Sequence, residues 1–180
     1  MSIGVLIPLA LFFAMGVVVV VLLWRVMVVG GEARRTTQQG RAAADLAHRA
    51  DISLTELCAI IDDLRRRRTG PEDGASSLGA AADGLRRYVL EAEAISRKGP
   101  VHEAGATLTA EIVRAQRAVD LIEHGRVLMM DRSLDRIGEG ETAVKRGYLN
   151  LVHAREAIRA QGEEITRHVN GDLGKWSQRG

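Results

Sequence analysis

Aromatic residues are scarce in this sequence of 180 residues and make up only 3% of it. A β-sandwich, a β-barrel or an aromatic ligand pocket usually contains more of them, because aromatic side chains fill such interiors. Cys58 is the single cysteine, so no disulfide can form within the chain, which fits a reducing compartment. Because Cys58 shares a helical face with Leu54 and Ile61, we expect a buried apolar residue and not a reactive thiol.

The short motifs that mark enzymes and metal proteins are also missing. There is no Gly-x-Ser-x-Gly, Cys-x-x-Cys, His-Glu-x-x-His or Glu-x-x-His, and the five histidines are scattered singly. The formal net charge of +2 gives no general basic field for nucleic acid. We therefore expect no enzymatic activity, no catalytic residue, no cofactor, no metal, no nucleic acid and no small-molecule substrate.

Charged side chains are absent from Ile3 to Trp24, a run of 22 residues. As a helix this run is about 33 Å long, which is enough to cross a hydrocarbon core of about 30 Å. A cleaved secretory signal is the main alternative, but such signals begin with basic residues and have an apolar stretch of about 7–15 residues. No lysine or arginine precedes Arg25. The sequence therefore predicts a retained single transmembrane anchor over residues 1–25, in preference to a signal peptide or a buried helix of a soluble core.

The residues that follow the run indicate its orientation. Trp24 and Arg25 are typical of the membrane interface, where an indole lies among headgroups and a guanidinium reaches water. Arg34 and Arg35 add positive charge on the same side, so the positive-inside rule predicts an outside N-terminus and a cytoplasmic C-terminal domain at the cell membrane. Residues 26–36 contain two adjacent glycines and are predicted to form a flexible juxtamembrane linker.

Four segments with apolar residues spaced by three and four follow, over about 37–68, 78–98, 102–136 and 142–170. The predicted buried stripe of the first segment consists of Leu46, Ala50, Ser53, Leu57, Ile60 and Leu64. Ser53–Glu56 matches a capping box and could divide the first segment, but the apolar stripe keeps its phase there, which favours one helix. Loops are predicted at 69–77, whose serines Ser76 and Ser77 could cap the next helix, at Gly99–Pro100 and as a tight turn at Gly138–Gly140. We predict an all-α protein in which residues 37–172 form a soluble antiparallel bundle of about four long helices, or two helical hairpins.

The predicted C-terminal tail, 173–180, contains one tryptophan. Trp176 lies between Lys175 and Arg179, a combination that is common at membrane interfaces. If the last helix returns toward the membrane, Trp176 would lie among the headgroups. A frayed and exposed terminus is the more ordinary interpretation.

The densest charge cluster is a run of four arginines, Arg65, Arg66, Arg67 and Arg68. Guanidinium groups bind phosphates and carboxylates, so the run is a candidate patch for an anionic partner or a lipid headgroup. It also lies at a predicted helix C-terminus, where cations interact favourably with the helix dipole. Two aspartates precede it directly and partly neutralise it. A solvated helix end is therefore the favoured interpretation.

Taken together, these patterns predict a membrane-anchored helical bundle that acts as a scaffold or adaptor at the cytoplasmic face. Its partners would be the membrane and either other helical proteins or a second copy of itself, through burial of apolar helix faces. Two alternatives stay open. The chain could be an accessory subunit or sensor that relays a signal through a dynamic bundle, or an arginine-rich domain that binds anionic lipid or an anionic partner.

Overall fold

A computed structural model describes the backbone of residues 3–97, 102–131 and 133–177, and the side chains of 18–22, 24, 36–97, 103–131 and 133–171. Within these ranges the chain forms helices and no strand, which confirms the all-α prediction. The helices are α1, Ile3–Arg65; α2, Ala75–Ser96; α3, His102–Met129; and α4, Leu134–Ser177. The chain divides into two compact units, Met1–Gln38 and Gln39–Gly180.

The first unit is helical throughout its described residues. Residues 26–36, which the sequence marks as a linker, are helical too. Each glycine there costs about 1 kcal/mol relative to alanine, but there is no proline to remove a backbone hydrogen bond, so the helix continues. The side chains from Val18 to Leu22 are each 49–65% exposed. Among the described residues, no helix is long and apolar enough to cross a membrane.

The second unit is a helical bundle with one apolar core, as predicted. Its largest buried side chains come from all four helices: Leu46, Leu54, Ile61 and Leu64 of α1, Leu78 and Leu85 of α2, Leu108, Ile112 and Ile122 of α3, and Leu151 and Ile158 of α4. The predicted α1 stripe is corrected at one position, because Ile60 is 37% exposed while Leu54 and Ile61 are buried. A helix that packs against neighbours on two sides buries a wider arc than one narrow stripe.

Contacts between the helices show that neighbours run antiparallel. Between α1 and α4, Ala47 lies against Gly162 and Asp51 pairs with Arg155, so residue numbers increase along α1 in the direction in which they decrease along α4. Between α1 and α2, the hydroxyls of Ser53 and Tyr88 are 3.0 Å apart. Because α1 continues through Ser53, the alternative that divides this segment at the capping box is wrong.

The connection between α3 and α4 differs from the prediction. α3 ends at Met129, not near residue 136, and the predicted tight turn at Gly138–Gly140 is wrong because these residues are helical. The actual turn is built by Asp131, whose Oδ1 accepts a hydrogen bond of 3.1 Å from the Ser133 amide. The Ser133 carbonyl then accepts the first bond of α4, from the Ile137 amide. Aspartate and serine end and start helices through such local bonds.

Three glycines instead serve close packing of α3 against α4. A Cβ built on Gly147 would lie 3.0 Å from the Ala118 carbonyl oxygen and 2.5 Å from Ile122 Cγ1. A Cβ on Gly125 would lie 2.7 Å from the carbonyl oxygen of Gly140, which is itself equally confined. Ordinary contacts are about 3.5–4.0 Å, so only hydrogen fits between the two backbones at these positions.

The start of α2 also corrects one expectation. The serines of the 69–77 loop were predicted to cap this helix, but the helix begins at Ala75 and includes both serines. Gly74 is the N-cap residue and makes no side-chain hydrogen bond. The loop is closed instead by Asp73, whose Oδ2 accepts a bond of 3.0 Å from the Gly70 amide.

Candidate interaction surfaces

The candidate patch of four arginines, Arg65 to Arg68, lies at one end of the bundle, where α1 and α3 end and α2 and α4 begin. We call this the arginine end, meaning the described residues in the ranges 62–74 and 123–141. The backbone of the arginine run closes α1 with a recurrent C-terminal motif. The Arg68 amide donates to the Asp63 carbonyl at 2.9 Å and the Arg67 amide to the Leu64 carbonyl at 3.0 Å, while Arg67 has a φ of 57°. This is a Schellman motif with an arginine at the left-handed position that glycine usually occupies.

Each arginine of the run has a carboxylate partner within the chain. Asp62 accepts a hydrogen bond of 2.7 Å from Arg65 and forms an ion pair with Arg66, also at 2.7 Å. Arg68 pairs with Asp63 at 3.3 Å, and Arg67 pairs with Glu141 of α4. The Arg65 guanidinium also lies 5.2 Å from the centre of the Tyr148 ring. The hydrogen bond from Arg65 and the neighbouring charges lower the pKa of Asp62. An anionic partner would therefore have to displace carboxylates that already hold these guanidinium groups.

Arg126 is the most buried charged side chain at this end, at 7% residue exposure. Glu123 accepts from its Nε at 2.7 Å and from its Nη2 at 2.6 Å, and the Pro71 carbonyl accepts from its Nη1 at 2.9 Å. The bond with Glu123 raises the pKa of Arg126. Arg126 thus ties α3 to the α1–α2 loop. No sequence pattern indicates this role, because an arginine three residues after a glutamate is common on exposed helix faces.

A second charged pair lies between α1 and α4. Arg155 Nε and Asp51 Oδ1 are 3.4 Å apart, and both atoms are shielded from solvent. Arg155 also interacts with the Cys58 thiol, yet burial dominates and raises the pKa of Cys58. The thiol is buried, as the sequence predicts.

Two shallow grooves follow the α4 helix. One, of about 590 Å³, lies between α1 and α4 over a floor of Ala44, Ala47 and Gly162. The other, of about 530 Å³, lies between α3 and α4 on the outer side of the bundle. We call the second the outer groove; its lining residues are Leu121, His124, Leu128, Gly138, Glu139, Thr142, Ala143 and Arg146.

The predicted membrane-interface residues are only partly described. Trp24 is 71% exposed. The side chains of Arg25, Arg34, Arg35 and Trp176 lie outside the described residues, so these predictions stay predictions. Across the described part of the chain, no three His, Cys, Asp or Glu side chains come together in a way that could hold a metal ion.

Comparison of this chain with protein-family models, with curated proteins and with solved structures finds no match in any of the three.

Proposed function

We propose that this chain is a single-pass membrane protein whose helical bundle acts as a scaffold or adaptor at the cytoplasmic face of the cell membrane. The observation that carries the proposal is the charge-free run from Ile3 to Trp24. Val18 to Leu22 supports it, because five consecutive helical residues point in all directions and all five are exposed. A helix that is apolar on every side is typical of a membrane span or a protein interior.

The arginines after the run support the orientation. Arg25, Arg34 and Arg35 follow Trp24, and no lysine or arginine lies between Met1 and Trp24. Cytoplasmic flanks are enriched in these cations, so the N-terminus would lie outside and the bundle would lie in the cytoplasm.

The core and the two surface grooves of the bundle support a binding role. Among the described residues, buried side chains of all four helices form its core, and its surface carries two grooves. Small residues line both grooves along α4, with Ala44, Ala47 and Gly162 in one and Gly138 and Ala143 in the other, and small residues allow another helix to approach closely. The carboxylate partners of the arginine run weigh against the alternative of an anionic-partner site there. No observation favours the sensor alternative.

Charge insertion tests the anchoring part of the proposal. The double substitution Val18→Asp/Val19→Asp places two carboxylates in the proposed span, where each costs up to about 3 kcal/mol at the membrane centre. We expect this variant to leave the membrane fraction. Ile52→Asp is the matched control, since Ile52 is an equally exposed apolar residue of the bundle, at 47%. Equal membrane content of the two variants would refute the anchor.

Site-specific photo-crosslinking in intact membranes tests the binding part. A photoreactive residue at Thr142 in the outer groove, and one at Ala44 in the α1–α4 groove, should each form discrete adducts with helical proteins. The same residue at Arg86 of α2, which lines neither groove, should not. Adducts at Arg86 alone would contradict a role for the grooves.

A further inference from the structure

A further groove, of about 260 Å³, separates α1 from α2 on the surface of the bundle, and we call it the α1–α2 groove. Its α1 side carries Ile60, a large apolar side chain that is 37% exposed. Its α2 side contains the small residues Ala80, Ala81 and Gly84. One side of the groove therefore has a protruding apolar side chain, and the other side has room to receive one.

A polar contact across the α1–α2 groove gives the relative heights of the residues along it. The hydroxyls of Ser53 and Tyr88 are 3.0 Å apart. The two helices are antiparallel, and each residue advances about 1.5 Å along its helix. Counted from this contact, Ile60 lies within about 2 Å of the height of Ala80.

Opposite charges lie on the two sides of the α1–α2 groove. Glu56 of α1 and Arg87 of α2 both line it and are both exposed, and neither forms an ion pair with any residue that the structure describes. Glu56 lies three residues after Ser53, and Arg87 three residues after Gly84. Ser53 and Gly84 are half-buried, so each charged side chain projects about 60° further from the core. By the same count, Glu56 and Arg87 differ in height by only about 3 Å.

We infer that the α1–α2 groove is the interface between two copies of this chain that are related by a two-fold axis parallel to α1. Rotation about such an axis leaves every height unchanged and places α1 of each copy against α2 of the other. Ile60 of one copy then meets Ala80 and Gly84 of the other, and Glu56 meets Arg87. Each contact occurs twice. This inference deepens the proposed function, on which it rests for the common direction of the two chains.

Size, charge and direction together select this arrangement. Packing of α1 against α1 would place Glu56 against Glu56, and packing of α2 against α2 would place Arg87 against Arg87; facing like charges are disfavoured. An axis perpendicular to α1 would reverse one α1 relative to the other, whereas two chains anchored in one bilayer need the same direction. Anchoring also confines both copies to one surface, and the raised effective concentration allows a small interface to hold them together.

Disulfide cross-linking of the full-length protein in membranes tests the contact between α1 and α2 of different copies. Two copies with different tags are produced together, one with Ile60→Cys and the other with Ala80→Cys. Helix axes about 8–10 Å apart bring facing Cα atoms to about 3.5–5.5 Å, within disulfide range. We expect an oxidant to form a cross-linked dimer that contains both tags.

Charge exchange between the copies tests the ion pairs. When both copies carry Glu56→Arg, or both carry Arg87→Glu, like charges face each other at both contacts, and the cross-linked fraction should fall about tenfold. When one copy carries Glu56→Arg and the other carries Arg87→Glu, opposite charges face each other again, and the fraction should recover. An ion pair within one chain would not be restored by mixing copies, so recovery is specific to contact between copies.

Two controls separate this geometry from random collision. Gly79→Cys replaces Ala80→Cys in the second copy, because both residues are exposed and adjacent but Gly79 lies about 100° around α2 and does not line the groove. This combination should not cross-link to Ile60→Cys. Neither should the unsubstituted chain, whose Cys58 is buried.

Three results would overturn the inference: no cross-link between residues 60 and 80, an equal cross-link between residues 60 and 79, or no recovery when the complementary charge variants are mixed. Membrane content of the same samples is measured in parallel. If the protein is in the membrane without cross-linking, the inference fails and the proposed function stands. If it cross-links but is absent from the membrane, the anchoring part of the proposed function fails and the interface stands.

Discussion

Alanine substitution of two glycines in α4 should change stability in opposite directions. Gly147→Ala places a Cβ 2.5 Å from Ile122 Cγ1, 3.0 Å from the Ala118 carbonyl oxygen and 3.2 Å from the Ile122 amide nitrogen. Two of these three atoms belong to the α3 backbone, so α3 and α4 must separate by several tenths of an ångström. Gly138→Ala meets nothing within 4 Å.

The magnitudes follow from two opposing terms. Alanine gains about 1 kcal/mol over glycine in either helix position. Overpacking costs about 1–3 kcal/mol, and the contact with rigid backbone places Gly147 at the upper end of this range. We expect Gly147→Ala to lower the free energy of unfolding by about 2 kcal/mol and Gly138→Ala to raise it by up to about 1 kcal/mol.

Thermal unfolding of the full-length protein in detergent, followed by circular dichroism at about 222 nm, measures the difference. For a bundle of this size, each kcal/mol corresponds to a shift of roughly 3–5 °C in the unfolding midpoint. Gly79→Ala of α2, which also meets nothing within 4 Å, is the control for helix propensity alone. If Gly147→Ala is as stable as Gly79→Ala, the close α3–α4 crossing is wrong.

Three further predictions concern the arginine end. Arg67→Gly should be about 1 kcal/mol more stable to chemical denaturation than Arg67→Ala. Both variants lose the ion pair with Glu141, but only glycine adopts the left-handed conformation at residue 67 without strain. Equal stability of the two variants would refute backbone strain at this position. Glu123→Ala should lower the free energy of unfolding by about 1–3 kcal/mol, because it leaves the Arg126 side chain, 9% exposed, without its carboxylate partner. Glu111→Ala is the control: its partner Arg114 is 59% exposed, so the loss should be under about 0.5 kcal/mol. Similar losses in the two variants would contradict the buried Arg126–Glu123 pair. The arginine partners of Asp62 lower its pKa in the folded state. The stabilising contribution of Asp62 is therefore complete above its unfolded pKa of about 3.9, and it is lost as the pH falls through the lower folded pKa. Asp62→Asn should flatten the pH dependence of the unfolding midpoint below about pH 4, and an unchanged profile would count against the Asp62 pairs.

The apolar spacing of the sequence predicts the helices well and their connections less well. Leu46, Leu57 and Leu64 are buried as expected, because a period of three and four specifies one face of a helix. The α3–α4 turn was misplaced because glycine has two uses that sequence does not separate. In the sequence Gly140 indicates a turn, yet it lies in α4, where its missing side chain allows the backbone of α3 to approach closely.

The candidate sites show a similar division. The arginine run is evident from the sequence, but the pairing of Arg67 with Glu141 joins residues 74 positions apart and depends on the tertiary fold. The Arg126 clamp depends in the same way on the Pro71 carbonyl, a backbone group that carries no sequence signal.

The most direct test of the central claim is the mass and the location of the protein in alkaline carbonate-washed membranes. The account predicts that the washed pellet retains the chain and that its mass includes every residue of the apolar run from Ile3 to Trp24. Release of the protein into the wash, or a mature chain that begins after Gly31, would contradict it.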